Sequence, residues 1–518
     1  MRFKDLTEKD VAYIKKVYFQ EGLTWDERMN KLIKKFGKQE RTVRRWISRL
    51  NIRKTPKAEE VSEQYEEAKK RKISKNQKRF IITWGQNNTP IHKDFFDNIK
   101  AYAEFIGAEI LVIAGRYKNP TSIFVDKKQD VWSKEIVPYL DANRHDIHQF
   151  VSIMSDVKIQ PTAVNPLTGM AGMSGGKSCI FGSPKVHMET IPTLEGHQPK
   201  IMLTTGAVTQ KNYTDSKAGK KGEFHHTLGF VLVEIKNKNK FFARQVTADN
   251  KGDFYDLYYH VKGQVINKIN SIEAIVMGDI HLGDEDNQVI KSTEKLLSYL
   301  KPNKTIIHDL FNGYSISHHH ENDPILKFHK EQNGTNSLKD EIRNMIEWIK
   351  KMQKYNLVIV RSNHDDFVDR WILRSDWKKD VKNSLEYMEY TSVLLKGKAK
   401  KGIIPYIINE NFKNIITLNR DESFKIKGWE LGAHGDYGSN GSRGNLNQFR
   451  KLNTKIIVGH YHSPGRRDGA LSVGTSTKLR LEYNYGPSSW LQSHVIIHQN
   501  GKAQHINFID GDYTTFEY

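Results

Sequence analysis

Five times between residues 274 and 462 a short apolar run breaks off at an aspartate, asparagine or histidine. This repetition constrains the fold more than anything else in the chain. The first instance is Ala274–Asp286, AIVMGDIHLGDED, where Ile275, Val276 and Met277 run into Gly278 and then Asp279-Ile280-His281. Such a run reads as a buried strand, and Gly278 as a turn that presents a carboxylate and an imidazole to one spot. A mixed oxygen and nitrogen pair suits a borderline divalent ion such as manganese, iron or zinc. Thr305–Ile307 then leads to His308-Asp309-Leu310-Phe311-Asn312, and Leu357–Val360 to Arg361-Ser362-Asn363-His364-Asp365. Trp429–Ala433 leads to His434-Gly435-Asp436, and Ile456–Val458 to Gly459-His460-Tyr461-His462. Residues two apart in extended chain point the same way, so His460 and His462 are expected to face one site. Another Asp-x-His, Asp146-Ile147-His148, follows the polar segment Tyr139–Arg144 instead of an apolar run and reads as coincidence.

Carboxyl ends of successive strands are where α/β sheets build their sites. The ligand inventory at these ends is too large for one ion and suits two, which sit about 3.5–4 Å apart when they share a carboxylate. The ordered set D-x-H, D-x-x-N, N-H-D, H and G-H-x-H resembles the calcineurin-like metallophosphoesterase superfamily, over roughly residues 270–510. The resemblance implies a β-sandwich flanked by helices. It also implies that Asp279, His281, Asp309 and His462 hold a first metal, and that Asp309 bridges to a second completed by Asn363, His434 and His460. His364 would be the catalytic histidine beside the leaving oxygen, oriented by a carboxylate for which Asp365 is the candidate. Two positions depart from the family pattern: His308 and Ser362 stand where glycine is usual. Asp309-Leu310-Phe311 further resembles the DLF motif of SbcD-like nucleases that process DNA ends. The whole layout resembles the early host-DNA-degrading DNases of T-five-like tailed phages. In the repair nucleases the additional parts follow the catalytic domain, whereas here they precede it, so no obligatory ATPase partner is implied.

Ahead of these motifs, residues 1–52 read as three short helices of a helix-turn-helix DNA-binding domain. Val11, Ile14, Val17 and Tyr18 mark the first apolar face. A capping box at Thr24 and Glu27 opens the second helix, which carries Met29, Leu32, Ile33 and Phe36. The third buries Val43, Trp46, Ile47 and Leu50 and exposes Arg41, Arg44, Arg45 and Arg49, as a helix lying along DNA would. Residues 53–79 alternate in charge with almost no apolar residue and predict a solvated linker helix. Strands at Phe80–Trp84 and Glu109–Ala114, with a helix over His92–Ile106, predict an α/β domain over 80–265 of no assignable role. Its stretch Ala171-x4-Gly176-Lys177-Ser178 fits a permissive phosphate-loop pattern but lacks the buried strand that precedes a real one. Lys177 there is a possible DNA contact. The paired His225 and His226 have no partner motif. Residues 266–518 form the expected metallophosphoesterase domain.

Net charge is +21, and residues 1–79 hold 24 Lys and Arg against 12 Asp and Glu, an asymmetry that favours a polyanionic partner. No apolar run approaches the roughly 18 residues needed to span a bilayer. Cys179 is the only cysteine, which rules out an intrachain disulfide and a thiolate metal cage and fits a cytoplasmic setting. The expected function is a two-metal-dependent DNase that hydrolyses DNA phosphodiester bonds, phage-encoded and acting on host DNA in the host cytoplasm. Manganese is the favoured ion, with magnesium, iron and zinc as alternatives. The expected partners are DNA and further copies of the chain. His318-His319-His320, Arg370, Arg443, Arg466 and Arg467 lie near the motifs and could contact substrate backbone. The competing readings are a phosphatase or small-nucleotide phosphodiesterase on the same fold, and a non-catalytic DNA-binding protein.

Overall fold

Alternation along each strand sorts the apolar residues onto two faces, and the fold follows from where each face is covered. The computed structural model describes residues 3–20, 25–50, 62–119, 130–452 and 454–517. They fall into two compact units, Met1–Ser62 and Glu63–Tyr518.

The first unit holds the helices Glu8–Phe19, Trp25–Phe36 and Glu40–Arg49. Ile14, Val17, Met29, Leu32, Val43, Trp46 and Ile47 form its core, at helical spacing from all three. Thr24 of the expected capping box lies outside the described residues. A reciprocal box does close the first helix, where Thr7 Oγ1 accepts from the Asp10 N–H and the Asp10 carboxylate accepts from the Thr7 N–H. Arg41, Arg44, Arg45 and Arg49 are exposed along the third helix. Arg44 pairs with Glu40, and the Arg49 guanidinium lies 5.4 Å from the Phe3 ring centroid.

Residues 51–61, the end of the expected first domain and the start of the expected linker, lie outside the described residues. The part that follows is no free tether. In the helix Glu63–Lys69, Ala68 is buried, Tyr65 stacks on Trp132 at 5.9 Å, and Gln64 accepts the Trp132 N–H. One aromatic and one small apolar residue on the same face are enough to dock so short a helix.

The second unit is mixed α/β. Arg79–Gln86 and Glu109–Gly115 pair in parallel with the helix Lys93–Ile106 between them, as the sequence predicts. They form a five-stranded sheet with Gly229–Asn237, Lys240–Thr247 and Leu140–Asp141. Further along, Ala274–Val276, Lys304–Ile307, Leu357–Val360 and Ile416–Leu418 run parallel, and Ser493–Ile497 and Ala503–Asn507 extend the sheet antiparallel to six strands. Its residues divide by parity. Ala274, Val276, Ile306, Val358 and Val360 face a layer shared with Trp429, Ile457 and Leu471 of a ten-stranded sheet and with Leu431 just beyond its strand. Ile275, Ile307, Leu357 and Ile359 face the helices Asn287–Leu300, Leu338–Met352 and Asp366–Arg374 through Leu297, Met345 and Phe367. Two sheets thus enclose one apolar layer, with helices on the outer face.

The ten-stranded sheet crosses the boundary expected near residue 265. Gly465–Arg467 pairs with His187–Ile191 through Arg466 opposite Met188 and Arg467 opposite His187. Residues on both sides of 265 therefore share a sheet within Glu63–Tyr518. Among the described residues no helix is long and apolar enough to cross a membrane.

Candidate metal centre

Each of the five apolar runs ends at one edge of this two-sheet layer, and the loops beyond them meet. Asp279, His281, Asp309 and His462 each offer a ligand atom, and these atoms all lie within 4.8 Å of one another; Asp309, His434 and His460 make a second such group. Asp309 belongs to both. Its Oδ2 lies 3.6 Å from His281 Nε2 and 3.2 Å from His434 Nε2. Asn363 joins the second group, with Oδ1 at 2.9 Å from His434 Nε2 and 3.2 Å from His460 Nδ1. All seven residues named by the motifs are brought together.

The backbone that achieves this is unusual. His281, Asp309, His460 and His462 have φ of 46°, 43°, 75° and 55°. Left-handed backbone is uncommon outside glycine and costs on the order of 1–3 kcal/mol per residue at such positions, so it persists where the surroundings hold it. Here it turns each side chain back toward the others directly after a strand. This corrects two expectations. His460 and His462 do reach one site, but through left-handed backbone and into different groups, not as neighbours in extended chain. Gly278 is not the turn residue either. A Cβ there would meet the Ser493 carbonyl oxygen at 2.8 Å, so glycine is needed for close approach, and His281 makes the reversal. At Gly459 a Cβ would lie 2.5 Å from Asp279 Oδ1, which keeps that carboxylate's place open.

Of the two positions where glycine was expected, Ser362 has a clear local use. Ser362 Oγ accepts from the His364 and Asp365 N–H groups at 3.2 Å each, closing the turn that presents Asn363 and His364. His308 is fully buried, its Nδ1 3.5 Å from His434 Nδ1.

The expected orienting carboxylate is corrected. His364 Nδ1 lies 2.6 Å from the carbonyl oxygen of Asn312, which can only accept, so Nδ1 carries a proton and Nε2 is the free ring nitrogen. Asp365 instead accepts from the Ser362 N–H, and burial pushes its carboxyl up to about 7. The sequence shows Asn312 but cannot reveal this use, because a backbone carbonyl has no residue signature.

Electrostatically the centre is a set of buried, mutually coupled carboxylates and imidazoles. Burial and the neighbouring His364 push His281 down to about 3, and burial holds His308 at about 4. Burial opposes protonation of His434 too, but the Asp309 carboxylate outweighs it and lifts the imidazole to about 9. Burial would raise Asp309, yet His434 and His281 hold it well below the usual carboxylate range. Asp279 Oδ1, Asp309 Oδ1, His281 Nδ1 and His462 Nδ1 are buried without a hydrogen-bond partner. Each such group costs about 1–3 kcal/mol, more when charged. His281 Nε2 and His462 Nε2 face each other at 3.0 Å, converging on one position. Mixed carboxylate and imidazole donors with unpaired oxygens fit divalent cations of the borderline type.

Other candidates fall elsewhere. Asp146 is taken by Ser152 and Lys177, and His148 by the Asn237 carbonyl, so this Asp-x-His and Lys177 are occupied locally. The stretch before Ser178 leads into a strand, not the helix of a phosphate loop. His226 is buried against Tyr213 and the Thr209 carbonyl, while His225 lies beside Asp468. Arg466 is buried and Arg467 pairs with Glu189, which removes both from backbone contact. Arg443 is exposed, Arg370 contacts His318, and His319 and His320 border a cavity next to His364.

The fold and this cluster define a mixed α/β protein with a buried His and Asp site of a kind that could hold metal. No family model matches the chain, and no solved structure matches it. Over 477 residues it is 32% identical to Protein A1 of Escherichia phage T5, covering 85% of this chain and 83% of that protein. The chain belongs to the family of that phage protein.

Proposed function

We propose that the chain is a two-metal-dependent DNase of the calcineurin-like metallophosphoesterase type, phage-encoded and acting on host DNA. The observation that carries this reading is the shared carboxylate: Asp309 Oδ2 is within 3.6 Å of an imidazole nitrogen from each group. A carboxylate shared by both groups would hold two cations at the spacing of about 3.5–4 Å that two-metal hydrolysis of a phosphate ester uses. Asp279, His281, Asp309 and His462 would hold one cation, and Asp309, Asn363, His434 and His460 the other. When bound, the pair would supply Lewis acidity toward a phosphoryl oxygen and make a water nucleophilic near neutral pH.

The chain's own residues do the remainder. The Asn312 carbonyl fixes the His364 tautomer, so Nε2 is free to carry a proton to the departing sugar oxygen, a contribution of about 10²–10⁴-fold. His364 stacks on Phe367 at 4.7 Å, which fixes the ring plane. The exposed Arg41, Arg44, Arg45 and Arg49 support a helix-turn-helix reading of the first unit, as a phosphate-binding surface.

Incubating the full chain with linear and circular DNA in manganese, magnesium, zinc or EDTA tests this. We expect degradation with manganese, none with EDTA, and a steep loss with salt. Tight DNA binding that ignores chelator, with no cutting under any ion, would leave a non-catalytic DNA-binding protein as the better reading. The cavity beside His364, about 640 Å³, also suits a small ester. Rates on p-nitrophenyl phosphate esters that exceed those on plasmid DNA would favour a phosphatase or small-nucleotide phosphodiesterase.

A further inference from the structure

That cavity has walls which the metal motifs do not explain. Asn363 and His364 bound it on one side, while much of the rest comes from the segment 478–483 and from Tyr314 and Phe367. Its volume falls within the range of about 300–1,000 Å³ usual for small-molecule sites. A duplex, whose major groove alone is about 12 Å wide, does not enter such a space.

The lining is aromatic. Phe367 already stacks on His364. Tyr483 packs edge-on against Trp490 at 5.8 Å, and Trp490 packs against His462 at 4.2 Å, so the aromatic wall is anchored to a candidate ligand. Tyr483 nonetheless remains 53% exposed, presenting a large ring surface with nothing stacked on it among the described residues. In a chain of net charge +21 the cavity is charge-balanced. Lys478 and Arg480 border it, and so do the carboxylates of Asp284 and Glu482. Arg480 is also engaged, donating to the carbonyl oxygens of Asn484, Gly486 and Thr193. Two carboxylates beside two cations do not select a second phosphate. They suit a neutral, flat group with N–H donors, and aromatic faces beside a phosphate site are how proteins hold unpaired bases.

We propose that this cavity receives an unpaired nucleoside adjoining the scissile phosphate, stacked on Tyr483, so that the chain selects unpaired over paired DNA. This rests on the hydrolase reading above. Single-stranded oligonucleotides carrying one abasic residue at successive positions test it, with products mapped in manganese. The wild type should cut beside a base at least about ten-fold faster than beside the abasic residue. Tyr483→Ala should bring that ratio toward one, Tyr483→Trp should keep it, and Tyr485→Ala, 87% exposed and outside the cavity, should not move it.

A second readout needs no turnover. In EDTA, a hexanucleotide containing 2-aminopurine should lose fluorescence on binding the wild type and Tyr483→Trp, and retain it with Tyr483→Ala. Cutting that ignores base removal, without Tyr483-dependent quenching, would overturn the inference and leave the hydrolase reading standing. No cutting with any cation would remove the hydrolase reading and the selection with it. Quenching would then report separately whether the cavity takes a base.

Discussion

Two clusters of buried charge lie in the larger unit, and they are built in opposite ways. Around Arg244, 3% exposed, the guanidinium meets Asp256 at 2.5 and 2.8 Å and also pairs with Glu234. Asp256 further accepts from Tyr102 Oη at 2.7 Å and Gln504 Nε2 at 2.9 Å. Glu234 accepts from Thr514 and Thr515. Burial would raise the Asp256 carboxyl, but Arg244 keeps it below its usual range. Every charge there has its partner inside the chain. Around Asp309 one side-chain atom each of Asp279 (Oδ1), His281 (Nδ1), Asp309 (Oδ1) and His462 (Nδ1) lacks a partner, and four backbones sit in the left-handed region. A closed network holds the fold together, whereas an open one is tolerated for what it binds.

The contrast can be broken most directly at Asp309. Asp309→Ala takes a ligand from both groups, so turnover should vanish. Manganese, which at about 100 times its Kd should stabilise the wild type by about 2.7 kcal/mol, should no longer raise the melting temperature of the variant. A variant that still responds to manganese as the wild type does would mean that this carboxylate is not shared.

Arg244→Ala probes the closed network. It leaves Glu234 and Asp256 buried and uncompensated, for an expected loss of about 3–5 kcal/mol in urea unfolding. Manganese affinity of the folded fraction should stay the same, and a change in it would show that the two clusters are coupled.

His364→Ala separates chemistry from binding within the open cluster. We expect DNA hydrolysis to fall by about 10²–10⁴-fold with metal content unaltered by elemental analysis. Loss of the metals would move His364 from proton transfer to coordination.

Histidines buried away from the Asp309 cluster sharpen the comparison by pH. His226, His494, His498 and His505 are each held near 4 by burial. His494 Nδ1, for one, must stay unprotonated to accept the Gly278 N–H. The unfolded chain takes up these protons near pH 6.5 and the folded chain only near 4. Their stabilisation is therefore complete above about 6.5 and is lost as pH falls toward 4, on the order of 3 kcal/mol for each. The urea midpoint should drop steeply between pH 7 and 5. A flat profile over that window would show that these rings are not kept neutral.

The site was more legible in the sequence than the fold around it. A strand that ends in ligand-type residues leaves a local mark, apolar run then Asp, Asn or His, and five such marks in order carried all seven residues that the structure brings together as candidate ligands. Which residues of Ala274–Val276 and Leu357–Val360 meet helices and which meet the other sheet emerges only in the structure, where they divide by parity. The pairing of Arg466 with Met188 across position 265 is a contact between backbones 278 residues apart, which leaves no composition shift to read. The charge pattern of Glu63–Lys69 hides the one face, Tyr65 and Ala68, that packs.

What the sequence determined by itself, then, was the chemistry: which donor atoms are present, in what order, and that they stand at strand ends. Only the tertiary structure decided which nitrogen faces which oxygen. The left-handed turns at His281, Asp309, His460 and His462, the Asn312 carbonyl behind His364, and the cavity walled by Tyr483 all depend on chain segments far apart in sequence. Residue type fixes what an atom can bind. Packing fixes where that atom is, and a local pattern has no access to packing at a distance.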